Sequence, residues 1–264
     1  MNIVEAYIKY RGQLIILISG MSGSGVLKLA RRIEKEFELA FVNYKDFIIP
    51  NFSNMSNITV DGKEIKVNNF DTDMAIDWES FISEIKKHQK NGVVVACQSF
   101  PSKKLDEGKV NPDMHLHIKL GKQNLLKRRI EYSKKELDDA TITAMLNKFT
   151  IPYEISSSLP ENSKITKFIN ANDFVTKDVD GYNEEIYDMA FEYIIGFINR
   201  WLNENKHKIT KTEHRHEPSK INNKKVREDK EDKEDKEEAS STSSESSESL
   251  TSSESSKDGV KISM

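Results

Sequence analysis

The chain has 264 residues, with 40 Lys+Arg against 43 Asp+Glu, 36% hydrophobic residues and one cysteine, at a mean hydropathy of -0.63. No apolar run approaches the roughly 18 residues a membrane helix needs, and the start, carrying Glu5, Lys9 and Arg11, has no signal-peptide core, so a cytoplasmic protein without membrane contact is expected. Cys97 alone makes neither an internal disulfide nor a cysteine-based metal site.

Taken in chain order, Leu14 to Ser19 is a continuous β-favouring apolar run, the pattern of a buried strand in a parallel sheet. A helix is expected over Ser24 to Glu38, with Leu27, Ala30, Ile33 and Phe37 on its inner face. Ala40 to Asn43 reads as a second strand, and Ile58 to Val67 as a hairpin turning on Asp61-Gly62. An amphipathic helix is expected over Ala75 to Lys90, with Ile76, Phe81, Ile82 and Ile85 inward, followed by a third strand over Gly92 to Phe100. Asp113 to Leu120 alternates strictly, with Met114, Leu116, Ile118 and Leu120 on one face, and reads as a fourth strand. Helices follow over Lys122 to Lys135 and Asp139 to Ile155, then a last strand over Lys164 to Ala171. The final helix, Tyr182 to Asn205, carries a long stripe from Ile186 to Trp201 that reads as core packing. Strands alternating with helices argue for an α/β fold with a parallel sheet flanked by helices.

The composition changes at the end of that helix. Residues 205–264 contain eight apolar residues and no aromatic, so the chain divides into a folded domain over 1–204 and a charged, Ser-rich tail over 205–264 expected to be disordered. Lys206 to Arg227 has eight Lys/Arg against two Glu, while Glu228 to Asp258 has four Lys against twelve acids. The basic stretch 206–227 offers a contact for a protein or nucleic acid, or a loose partner for the acidic block. Thr242, Thr251 and Ser255 precede acids in the manner of acid-directed phosphorylation sites; a plain solubilising tail is the competing reading.

Chemistry concentrates after the first strand. Gly20-Met21-Ser22-Gly23-Ser24-Gly25 opens the first long helix, the context of a phosphate-binding P-loop, in which glycines turn backbone N–H groups toward an anion at a helix N-terminus. The alternative is an ordinary strand-to-helix turn. Where GxxxxGK[ST] places a lysine and a hydroxyl, Val26 and Leu27 stand, and Lys28 lies two positions on, about 200° around the helix.

The ISGMSGSG loop, Lys45-Asp46-Phe47 after the second strand, the segment Asn69 to Trp78 (NFDTDMAIDW), Lys127-Arg128-Arg129-Ile130 and Ile151-Pro152-Tyr153-Glu154 together resemble the uridine kinase group of P-loop nucleoside kinases, in order over about Leu14 to Asn172. That group includes nicotinamide riboside kinases. The resemblance implies a P-loop NTPase fold with a five-stranded parallel sheet and transfer of the γ-phosphate of ATP, with Mg2+, to the 5′-hydroxyl of a pyrimidine ribonucleoside. On it, Gly20, Ser22, Gly23, Ser24 and Gly25 would hold phosphates, Asp46 would accept the hydroxyl proton, and Phe70 and Asp71 would meet base and ribose. Arg128 would stand at the substrate and Arg129 at the transferred phosphoryl group.

The departures from that pattern are Val26, Leu27, Cys97-Gln98 in place of a strand acid, and Tyr132-Ser133-Lys134-Lys135 where further lid arginines belong. Phosphoryl transfer depends on positioning and electrostatics, so two readings stand: a nucleoside kinase, and a catalytically inactive kinase-derived binding or regulatory protein. Each residue also has a plainer reading. Asp46 is then a solvated loop acid, Asp71 a helix cap in competition with Asp73, and Arg128 and Arg129 a basic helix face. No metal ligand set is expected: His115 and His117 share a strand face without nearby acids or further cysteines and read as exposed or at a sheet edge, and His214 and His216 fall in the tail. Cys97 reads as a small hydrophobe.

Overall fold

The computed structural model describes residues 2–132, 137–174 and 179–207, all within one compact unit. The readings made for the tail beyond residue 207 lie outside the described residues.

Helix α1 (Ile3–Arg11) precedes the first strand. It has no counterpart among the elements expected from sequence, being nine residues long with its apolar positions broken by charges. Asn2 and Glu5 form a capping box: Asn2 Oδ1 accepts from the Glu5 N–H at 2.9 Å and Glu5 Oε2 from the Asn2 N–H at 3.0 Å. Tyr7 anchors the helix. Its hydroxyl donates to Asp113 Oδ1 at 2.8 Å, while Asp113 Oδ2 accepts the Ile15 N–H at 2.8 Å. Arg11 Nε lies 3.4 Å from the same carboxylate, whose side chain is 1% exposed.

Strand β1 (Ile15–Gly20), buried at all six positions, leads into α2 (Val26–Phe37), β2 (Ala40–Asn43) and a 3-10 turn, Tyr44–Phe47. The hairpin of β3 (Met55–Val60) and β4 (Lys63–Asn68) turns on Asp61-Gly62 as expected, both with positive φ (48° and 76°), which suits the twist of a two-residue turn. After α3 (Trp78–His88) come β5 (Val93–Cys97), a short α4 (Ser102–Glu107) and β6 (Met114–Lys119). Then follow α5 (Lys122–Tyr132), α6 (Asp139–Met145), a π-helical turn over Leu146–Thr150, α7 (Ile151–Ser157), β7 (Lys167–Asn170) and α8 (Val179–Glu204).

The five parallel strands lie in the order β2-β5-β1-β6-β7, so β1 is central and its C-terminal loop opens in the middle of the sheet's edge; β3 and β4 form a separate two-stranded sheet. One face of β1, Ile16 and Ile18, packs with α1, α2 and α8, and the stripe of the last helix joins that core through Ile186, Ala190, Ile194 and Ile198. Its other face, Ile15 and Leu17, packs with Phe81 and Ile85 of α3 and with Cys97, buried among hydrophobes. No helix among the described residues is long and apolar enough to cross a membrane.

Three expectations are corrected. The helix expected from Ala75 begins at Trp78, because Asp77 caps it, accepting the Ser80 N–H at 3.1 Å; neither Asp71 nor Asp73 is its cap. The buried face of α2 is Val26, Leu29, Ala30 and Ile33, with Leu27 only half-buried. His115 and His117 are neither exposed nor at an edge. They are 1% and 2% exposed, because β6 is an inner strand paired on both sides and their face is covered by side chains of α7 and the Phe100 segment.

Candidate phosphate-loop site

The loop between β1 and α2 is a tight arch. Ser24 N–H donates to the Met21 carbonyl at 2.9 Å, and Gly23 and Gly25 adopt φ of 97° and 98°, a left-handed backbone that side-chain-bearing residues rarely take. Gly25 is the N-cap of α2 and supplies no side-chain acceptor, so the first N–H groups of the helix have no cap. Ser22 is exposed at the tip and Gly20 is buried at the strand end. Ser24 is fully buried, and its Oγ has no hydrogen-bond partner among the described residues. It lies 2.7 Å from where a Cβ on Gly20 would sit, so it reaches back across the arch. Uncapped N–H groups and an unpartnered buried hydroxyl at a helix N-terminus fit a phosphate group.

The same place does not fit a magnesium nucleotide poised for transfer. Val26 is 7% exposed and belongs to the hydrophobic core, so the cationic position is filled by packing. Leu27 offers no hydroxyl to a metal, β5 ends in Cys97 rather than an acid, and no three His, Cys, Asp or Glu among the described residues group to hold one. Burial pushes the Cys97 thiol up to about 12, which leaves it without nucleophilic character at neutral pH. Lys28 and Lys45 are both exposed.

Helix α5 closes on the loop from one side. Arg128, 8% exposed, donates from Nε to the Gly23 carbonyl at 2.9 Å, and its guanidinium carbon lies 3.7 Å from the centroid of the Tyr182 ring of α8. Tyr182 Oη donates to the Ser24 carbonyl at 3.0 Å. Arg129 reaches towards the π-helical turn instead. Its Nη1 donates to Thr150 Oγ1 at 2.7 Å, and Thr150 donates in turn to Asp71 Oδ2 at 2.5 Å, so one hydroxyl joins the two charged residues. Phe70, half-buried, packs its ring on Phe52 at a centroid distance of 5.9 Å.

The π-helical turn brings Thr150, Tyr153 and Glu154 onto one inward stripe, a polar one. Tyr153 Oη donates to Asp73 Oδ1 at 2.6 Å and lies 3.2 Å from Ser99 Oγ. Burial and the Asp73 charge push its phenol pKa far up, so it stays a donor. Glu154 Oε1 lies 3.4 Å from His117 Nε2, and Ser19 Oγ bridges His117 Nδ1 (2.8 Å) and His115 Nε2 (2.7 Å). One tautomer assignment leaves no N–H orphaned: His115 Nε2–H donates to Ser19, Ser19 to His117 Nδ1, and His117 Nε2–H to Glu154. His115 Nδ1 is then a bare buried acceptor without a partner.

Asp46 lies in the 3-10 turn Tyr44–Phe47, where Tyr44 feels the charges of Asp71 and Arg129. Asp46 is exposed and borders an open depression of about 560 Å³ with Ile48, Ile76, Trp78 and Lys104, whose lining includes neither the glycine loop nor Asp71, Arg128 or Arg129. The structure thus joins Arg128 to the loop and Asp71 to Arg129. Ser19, Ser99, Thr150 and Tyr182 go unmarked in the sequence reading. The polar stripe at 150, 153 and 154 was the available signal, since a helix packed on a sheet otherwise shows an apolar face.

The central strand, glycine loop and helix N-terminus define an α/β protein with a P-loop on a five-stranded parallel sheet flanked by helices. No family model and no curated protein matches the chain. Among solved structures, a gluconokinase from Sinorhizobium meliloti aligns at 10% identity over 75% of this chain and 98% of its own, with a TM-score of 0.46. A sugar kinase from a Janibacter species aligns at 12% identity over 69% and 94%, with a TM-score of 0.43. A shikimate kinase from Bacteroides thetaiotaomicron aligns at 10% identity over 70% and 99%, with a TM-score of 0.39. At these identities and scores the likeness assigns neither activity nor substrate to this chain.

Proposed function

We propose that the chain is a kinase-derived P-loop protein that binds a phosphate group and does not transfer it, acting as a binding or regulatory domain. The observation that carries this reading is the loop itself. Its backbone and the buried, unpartnered Ser24 hydroxyl offer hydrogen bonds to an anion, while the lysine position is Val26 in the core and the metal-ligand position is Leu27. Binding needs the first set of groups; transfer needs charge and metal at the second.

The competing reading, an active kinase of pyrimidine nucleosides using ATP and Mg2+, is favoured by a specific contact: Thr150 brings Asp71 and Arg129 together, as a shared acceptor and phosphoryl site requires. It is weakened by Val26 and Leu27, which stand at the cation and metal-ligand positions.

Titration of 15N-labelled protein with inorganic pyrophosphate tests the binding half. Amide shifts are expected at Gly23, Gly25, Val26 and Leu27 at millimolar concentration or below. Shifts absent there, or confined to surface lysines, overturn it.

A further inference from the structure

The outer wall of the phosphate loop carries a flat, charged surface that is already covered. Arg128 is held by its Nε on the Gly23 carbonyl (2.9 Å) and spreads its guanidinium 3.7 Å over the ring of Tyr182, which is fully buried. That ring is fixed in turn by its hydroxyl on the Ser24 carbonyl (3.0 Å), and its Cε1 lies 3.6 Å from where a Cβ on Gly25 would sit. Tyr182 therefore lies edge-on to the loop and face-on to the arginine.

A nucleotide with its terminal phosphates on the N–H groups of this arch has to carry its base past the rim onto an adjoining surface, because phosphate, ribose and base form one short chain. Guanidinium planes and aromatic rings are the surfaces on which bases stack. Here the guanidinium plane beside the rim already holds an aromatic ring from the protein itself. The anion place behind the rim differs: the N–H groups lack a cap and Ser24 Oγ is buried without a partner.

Resting on the phosphate-binding reading above, we infer that the loop takes the phosphate or diphosphate group of a ligand without a nucleobase, and that Tyr182 stacked on Arg128 is the intramolecular occupant of the base-stacking place. Beside the absent lysine and hydroxyl at positions 26 and 27, the exclusion of a base then lies in one side chain of α8.

Isothermal titration in magnesium-free buffer with tripolyphosphate and with ATP, which present the same phosphate chain, tests this. Equal affinities within about twofold are expected for the unmodified protein, and an ATP preference of about tenfold, the size of one stacking contact, for Tyr182→Ala. Tyr182→Leu, which withdraws the ring with less loss of volume, is the variant to use if Tyr182→Ala does not fold. ATP binding tenfold more tightly than tripolyphosphate to the unmodified protein overturns the inference. So do equal affinities in a folded Tyr182 variant. Binding of neither probe to the unmodified protein overturns the phosphate-binding reading and this inference with it, which separates the two failures.

Discussion

Lowering the pH from about 6.5 towards 3 is expected to remove on the order of 4 kcal/mol of stability through His115 alone. Burial, with the neighbouring His117, pushes the His115 imidazole down to about 3 from its ordinary 6.5. Between those values the unfolded chain holds a proton that the folded chain refuses, so stability is fully present above 6.5 and drains away as the pH falls through this window. The groups facing the ring are Ser19 and, through it, His117 and Glu154, with Phe100 edge-on at 5.3 Å. The exposed carboxylates Asp77 and Asp138 and the half-exposed Glu84, held below their usual range by hydrogen bonds, act in the same direction. A variant at position 115 cancels them. Urea denaturation at pH 7, 5 and 4 should show His115→Gln losing less stability with acidification than the unmodified protein; parallel losses would exclude His115 as the source.

Asp113→Ala is expected to cost about 3–5 kcal/mol in the same measurement at pH 7. The carboxylate accepts from the buried Tyr7 hydroxyl and from the Ile15 N–H at the head of the central strand, each at 2.8 Å, and its removal orphans both donors. The Arg11 contact at 3.4 Å adds little, since that side chain is 39% exposed. Asp113→Asn keeps one acceptor oxygen and should cost roughly half as much. A loss below about 1 kcal/mol for Asp113→Ala would mean that α1 is not pinned to the sheet by this residue.

What sequence pattern made legible follows from where hydrophobic burial dominates. Strand β1 reads directly, because a strand covered on both faces is a continuous apolar run, and α8 reads directly from its stripe. The loop was legible because glycines with φ near +97° cannot be exchanged freely and follow that strand at once. His115 and His117 were misread because alternation along β6 shows which residues share a face but not what covers it. The cover is mixed: Glu154 meets His117, while the Phe100 and Phe168 rings pack on His115 and His117 from elements distant in sequence. Helix α1 escaped notice for a related reason, since its anchor Tyr7 is joined to a partner 106 residues away. In the candidate site, resemblance alone assigned Asp46 to the hydroxyl proton and Asp71 to the ribose. The structure joins only Asp71 to Arg129, through a threonine delivered by a π-helical turn that no local pattern announces.

The most direct test of a phosphate loop without phosphoryl transfer is the rate at which the unmodified protein forms uridine or cytidine monophosphate from Mg·ATP and the nucleoside. The rate expected is the uncatalysed background. Turnover in the range of about 1–100 s⁻¹ usual for kinases, lost on Asp46→Asn, would contradict it and establish an active nucleoside kinase.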